Sequence, residues 1–68
     1  MYLPGTRIEV KVKIDLPANE KIEPGTKGTV LSTVKKMVGI AYKIKLDDDR
    51  EVDIHIVIMK NQTEIIED

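Results

Sequence analysis

Cysteine, phenylalanine and tryptophan are all missing from this 68-residue chain. Without cysteine there is no disulfide framework and no thiolate metal site. Small secreted domains often need such staples, so their absence fits a cytoplasmic protein. Aromatic rings are confined to Tyr2 and Tyr42. A groove for Pro-rich peptides needs an aromatic lining, and readers of single-stranded RNA need stacking platforms; neither surface is expected here. No apolar run approaches the roughly 18 residues of a membrane span. Met1-Tyr2-Leu3-Pro4-Gly5 has neither the basic nor the apolar region of a signal peptide, so no membrane partner is expected. Neither sign of charge dominates: 11 basic residues stand against 12 acidic ones, a net of −1. A domain held to nucleic acid by bulk phosphate attraction is expected to be basic. A chain this short is one domain that buries only about 60% of its unfolded surface, so its core is small.

What the chain does contain is β patterning with well-placed turn residues. Glu23-Pro24-Gly25-Thr26-Lys27-Gly28-Thr29-Val30 is the organising stretch. Pro24 fixes its own φ and Gly25 can take a positive one, which predicts a type II turn. Gly28, at the start of a β-rich run, marks a bulge, a bend or a close backbone approach. Upstream, Ile8, Val10, Val12 and Ile14 alternate with Arg7, Glu9, Lys11 and Lys13, predicting a half-buried strand over 7–14. Residues 15–25, with Pro17 and Pro24, read as a loop that Leu16 and Ile22 pin to the core, and as a candidate binding edge.

A second strand is predicted over 27–34, where Val30, Leu31 and Val34 share a face only if a bulge intervenes. Gly39 follows as a left-handed turn residue. A strand over 40–46 points Tyr42, Ile44 and Leu46 inward and Ala41, Lys43 and Lys45 outward. Another over 51–58 points Val52, Ile54, Ile56 and Ile58 inward and Asp53, His55 and Val57 outward. Matching these faces sets Leu46 opposite Val52, Ile44 opposite Ile54 and Lys45 opposite Asp53. The loop is then Asp48-Asp49-Arg50, with one residue left-handed. Residues 59–62 form a short connector with at most one 3₁₀ turn. Thr63-Glu64-Ile65-Ile66 is a last short strand, and Glu67-Asp68 a frayed acidic end. The expected core includes Ile8, Val10, Val12, Ile44, Ile54 and Ile56. The order of five short strands around one long first loop describes an all-β, five-stranded SH3-like barrel spanning 1–68.

Pro4-Gly5-Thr6-Arg7-Ile8, Pro24-Gly25-Thr26-Lys27-Gly28-Thr29-Val30 and Leu46-Asp47-Asp48 carry a resemblance over nearly the whole chain. The chain resembles a family of very small bacterial and phage-encoded SH3-like proteins and, more distantly, KOW-type domains. That family has glycine after the paired aspartates; here Asp49-Arg50 follows, and aspartate tolerates the left-handed region. The resemblance implies the barrel and a phage or mobile-element origin. It implies no activity.

Asp47, Asp48, Asp49, Glu51, Asp53 and His55 form the densest acidic cluster, but the spacing lacks a calcium loop's bend glycine and terminal glutamate. It reads as a solvated turn, with no metal and no cofactor expected. His55, the only histidine, has no nucleophile beside it in sequence and reads as a surface residue. No catalytic residue is assigned and the chain is read as no enzyme. Gly25 and Gly28 are not a phosphate loop, because a strand rather than a helix follows. Lys11, Lys13, Lys43 and Lys45 point outward. They are either charge-paired protection of the sheet or, in a KOW-like nucleic-acid or ribosome-associated module, phosphate contacts. Val57 and Met59 fall outward, and Ile65 and Ile66 cannot both face one core. Together these four form the candidate protein-binding patch. The leading reading is a non-enzymatic adaptor, accessory or inhibitor protein. It binds another protein, or itself as a homodimer, through a strand edge or that patch.

Overall fold

The computed structural model describes residues 2–67; Asp68, expected in the frayed acidic end, lies outside them. Seven strands form: β1 (Arg7–Val10), β2 (Ile14–Asp15), β3 (Lys21–Ile22), β4 (Lys27–Lys36), β5 (Gly39–Leu46), β6 (Glu51–His55) and β7 (Thr63–Ile65). Among the described residues a short 3₁₀ turn, Pro17–Asn19, lies between β2 and β3, and an α-helix, α1 (Ile56–Gln62), separates β6 from β7. Five strands make an antiparallel sheet in the order β6-β5-β4-β1-β7, and β2 and β3 form a separate hairpin. The sheet is open, with β6 and β7 as its outer strands. Its inner face presents Ile8, Val10, Val30, Tyr42, Ile44, Leu46, Val52 and Ile54, covered by Ile14 and Ile22 of the hairpin and Met59 of α1. Tyr2 packs edge-on against Tyr42, with ring centroids 5.1 Å apart.

The turn chemistry is where the glycines put it. Gly25 has φ +93° and Thr26 N donates to Glu23 O at 3.2 Å, as a type II turn requires. Gly28 lies between Ile8 and Leu46 in the ladder. A Cβ there would stand 2.9 Å from Ile44 Cγ2 and 3.0 Å from the Lys45 carbonyl, so the glycine marks a close approach. The register of β4 against β5 shifts between Val30 and Ser32, so the bulge falls at Leu31.

Several expectations are corrected. The alternation of 7–14 does not persist as one strand. Lys11 N and Val12 N both donate to the Gln62 carbonyl, at 2.8 and 3.3 Å. Successive N–H groups of an extended strand point in opposite directions, so two neighbours on one carbonyl demand a kink. The kink throws Val12 outward, 53% exposed, while Ile14 returns to the core. Residues 15–25 are not featureless either, since Ile14 pairs with Ile22 and Asp15 with Lys21. Ala18 (φ 63°) and Asn19 (φ 62°) form the centre of the joining turn. Positive φ at both central positions is the mirror-image turn that suits a hairpin.

Ala41, expected outward, is only 2% exposed. Its register still places it on the outer face, opposite His55. The β5–β6 hairpin has the expected odd-numbered loop, shifted by one residue. Leu46 N bonds to Arg50 O, which makes Asp47-Asp48-Asp49 the loop, with Asp49 left-handed at φ 76°. Ile44 therefore faces Val52, Tyr42 faces Ile54, and Lys43 rather than Lys45 faces Asp53.

The strand expected over 51–58 stops at His55, and the expected connector is helical. Ile56 and Ile58 are half-buried, and Met59 is fully buried. Ile56, Val57 and Ile58 are β-branched and favour strand by themselves. Both ends of the helix are nevertheless held. His55 Nδ1 accepts from Val57 N at 3.2 Å, and Thr63 Oγ1 donates to the Met59 carbonyl at 2.6 Å. Burial of Met59 and these caps outweigh local propensity.

Candidate interaction surface

β6 is paired on one side only. Leu46 N donates to Arg50 O, and hydrogen-bonded pairs recur at every second residue of an antiparallel ladder. Val52 and Ile54 therefore spend their backbone groups on Ile44 and Tyr42 of β5. The N–H and C=O groups of Glu51 and Asp53 point toward the open edge.

Along that edge runs a groove of about 550 Å³. Leu16, Pro17 and Glu20, from β2 and its turn, make one wall; Val38 and Lys36, from the β4–β5 hairpin, make the other. Val52, Asp53, His55 and Ala41 form its floor. The first wall is held in place by Arg50, whose Nη1 donates to the Lys21 carbonyl at 3.0 Å while its Nε bonds Asp48 Oδ2 at 3.0 Å. That pairing holds the Asp48 carboxyl below its ordinary value and raises Arg50, chiefly through the shared hydrogen bond. The second wall is held by His55. Its Nδ1 accepts from Val57 N, so its Nε2 carries the proton and donates to the Val38 carbonyl at 3.2 Å. Both ring nitrogens are thus engaged in structure. Met37 and Val38 at the hairpin tip are both strongly exposed and extend the apolar wall outward.

The charged groups singled out from the sequence are largely paired. Asp47 takes two bonds from Arg7, Asp48 is held by Arg50, and Asp53 lies 3.1 Å from Lys36 Nζ. Among the described residues no group of three or more metal-binding side chains converges. Lys11 lies 3.4 Å from Glu9 and 3.5 Å from Glu64. Lys13 is exposed beyond β1, and its carbonyl accepts from Gln62 Nε2. Lys43 and Lys45 lie across from Asp53 and Glu51 on β6. Three of the four, Lys11, Lys43 and Lys45, thus have carboxylate neighbours.

The expected apolar patch does not form as a unit. Met59, expected outward, is 0% exposed, because the strand that would have turned it out is a helix that turns it in. Val57 is 54% exposed on α1 and Ile65 is 63% exposed on β7, while Ile66 is half-buried with its N–H on the Arg7 carbonyl. The sequence places Leu16 in a candidate binding edge, but only the fold brings it into one groove with Val38 and the open side of β6.

Comparison with known proteins decides nothing further. No family model, no curated protein and no solved structure matches the chain. The functional reading therefore rests on the groove itself.

Proposed function

We propose that this chain is a non-enzymatic protein-interaction module of SH3-like design, which takes an extended segment of a partner protein into the groove beside β6. The open edge of β6 at the floor of an apolar-walled groove carries this reading. Sheet edges accept added strands through backbone hydrogen bonds, and flanking pockets select side chains. A groove of this size is within the range that holds ligands. His55 has both nitrogens committed, and no serine, threonine or cysteine lines the groove beside it, which favours binding over catalysis. Carboxylates beside Lys11, Lys43 and Lys45 favour a protein partner over nucleic acid. The strand order, with a long first loop and a helical turn before the last strand, supports an SH3-like relationship. An accessory or inhibitor role in a phage or mobile element accords with the sequence resemblance.

The test is selection from a displayed library of random peptides on the intact chain, repeated on a Leu16→Glu, Val38→Glu double variant. Val38 is strongly exposed but Leu16 packs partly against the core, so circular dichroism first establishes that the double variant is folded, and the Val38→Glu single variant is tested beside it. Enriched peptides should bind the parent and lose the variant. Enrichment of peptides that bind both equally, or of none, overturns the groove as the functional surface.

A further inference from the structure

We infer that the partner segment is a β-strand with lysine or arginine at alternate positions, added to the free edge of β6. This inference rests on the groove reading above and specifies its occupant. The outer face of the sheet carries charge in ordered rows. Thr29, Lys45 and Glu51 are successive cross-strand neighbours, and so are Ser32, Lys43 and Asp53. The first row begins at Arg7, the partner of Thr29 on β1, and reads base, neutral, base, acid; the second reads neutral, base, acid; both end on an acid at the open edge. A strand added beside β6 continues these rows, and a cation opposite Glu51 and opposite Asp53 completes them. The groove lining has the same bias, with Glu20, Glu51 and Asp53 against Lys36 alone. Interleaved residues of the added strand, opposite Val52, point toward Leu16 and Pro17 and are apolar.

The same rows disfavour the nearest competing occupant, a second copy of the chain, in the registers that overlap most. Two-fold pairing of β6 centred on Asp53 sets Asp53 against its own copy. Centring on Val52 sets Glu51 against Asp53. Like charges directly opposite one another are destabilising, and edge charges are a common guard against self-pairing. A Pro-rich occupant is disfavoured for a different reason: among the described residues no phenylalanine, tyrosine or tryptophan lines the groove.

The experiment uses three synthetic seven-residue peptides with valine at alternate positions and lysine, threonine or glutamate between. Each is titrated into the isotope-labelled intact chain, and backbone amide shifts are followed. The lysine peptide should perturb Glu51, Asp53 and His55, slow amide exchange at Asp53, and bind about tenfold more tightly than the threonine peptide, as two cross-strand charge pairs allow. The glutamate peptide should bind least. Glu51→Lys, at an exposed position, should remove the preference for lysine; Glu51→Gln, which adds no charge, should halve it on a logarithmic scale. Equal binding of the lysine and threonine peptides overturns the charge inference and leaves the groove reading intact. Perturbations on β7 or α1 instead of β6 overturn the site. If no peptide of any charge perturbs β6, strand addition is overturned, and the library selection decides the groove separately.

Discussion

Arg7 and Asp47 are joined by two parallel hydrogen bonds of 2.8 Å, Nη1 to Oδ1 and Nη2 to Oδ2, although 40 residues of chain separate them. Arg7 Nη1 also reaches Thr29 Oγ1 at 2.9 Å. The guanidinium thus ties the start of β1 to β4 and to the β5–β6 turn, with the planar fit that favours arginine over lysine.

The pairing gives stability a definite dependence on acid. The hydrogen bond from Arg7 holds the Asp47 carboxyl below its ordinary value of 3.8, and Arg50 does the same for Asp48. A carboxyl depressed in the folded state contributes stability that is complete above the unfolded value and lost as pH falls through the folded one. The melting temperature should therefore hold from neutral pH to about pH 4 and fall below it. Asp47→Asn should shrink that acid decline and lower the neutral melting temperature only slightly, because the pair is exposed. Thermal melts followed by circular dichroism across this range provide the check. An undiminished acid decline in the variant would show that the pair is energetically silent.

The kink after β1 separates two valines that a regular strand would treat alike. Val10 is fully buried, and Val10→Asp places an unpaired carboxylate in the core. That cost is comparable to the roughly 5–15 kcal/mol that holds a whole domain together, so the variant should be unfolded. Val12→Asp should stay within about 0.5 kcal/mol of the parent, as exposed substitutions do. Denaturant unfolding of both variants is decisive. Loss of structure in Val12→Asp would restore the uninterrupted strand.

His55 is a helix cap and a brace for the groove wall at once. His55→Ala should cost about 0.5–2 kcal/mol through the lost cap. It should also speed amide exchange at Val57 and leave the Met37–Val38 turn more mobile. His55→Asn keeps a cap acceptor and should recover most of the stability but not the bond to Val38. Ring ¹⁵N shifts should show the tautomer protonated on Nε2. A ring protonated on Nδ1 alone would contradict the capping geometry.

Local chemistry was legible in the sequence wherever a residue's own backbone preference decides the outcome. Pro24-Gly25 makes the turn, Gly28 the close approach and Asp49 the left-handed corner. Period-2 alternation placed Tyr42, Ile44 and Leu46 inward and set the parity of the β5–β6 pairing. The same rule failed at Val12 and over residues 56–59. There the pattern is locally consistent with strand, and distant groups overrule it.

Alternation, glycine and proline act over a few residues, and they are enough to specify a small β-rich domain with its strand faces and most of its turns. Tertiary structure alone decided the kink at Val12, the helix that buries Met59 and the groove beside β6. Each depends on a partner far away in the chain: Gln62 for Val12, the sheet's inner face for Met59, and Leu16 set against Val38 for the groove. No local preference encodes such encounters. They follow only when the strands have paired and the β2–β3 hairpin has closed over the core.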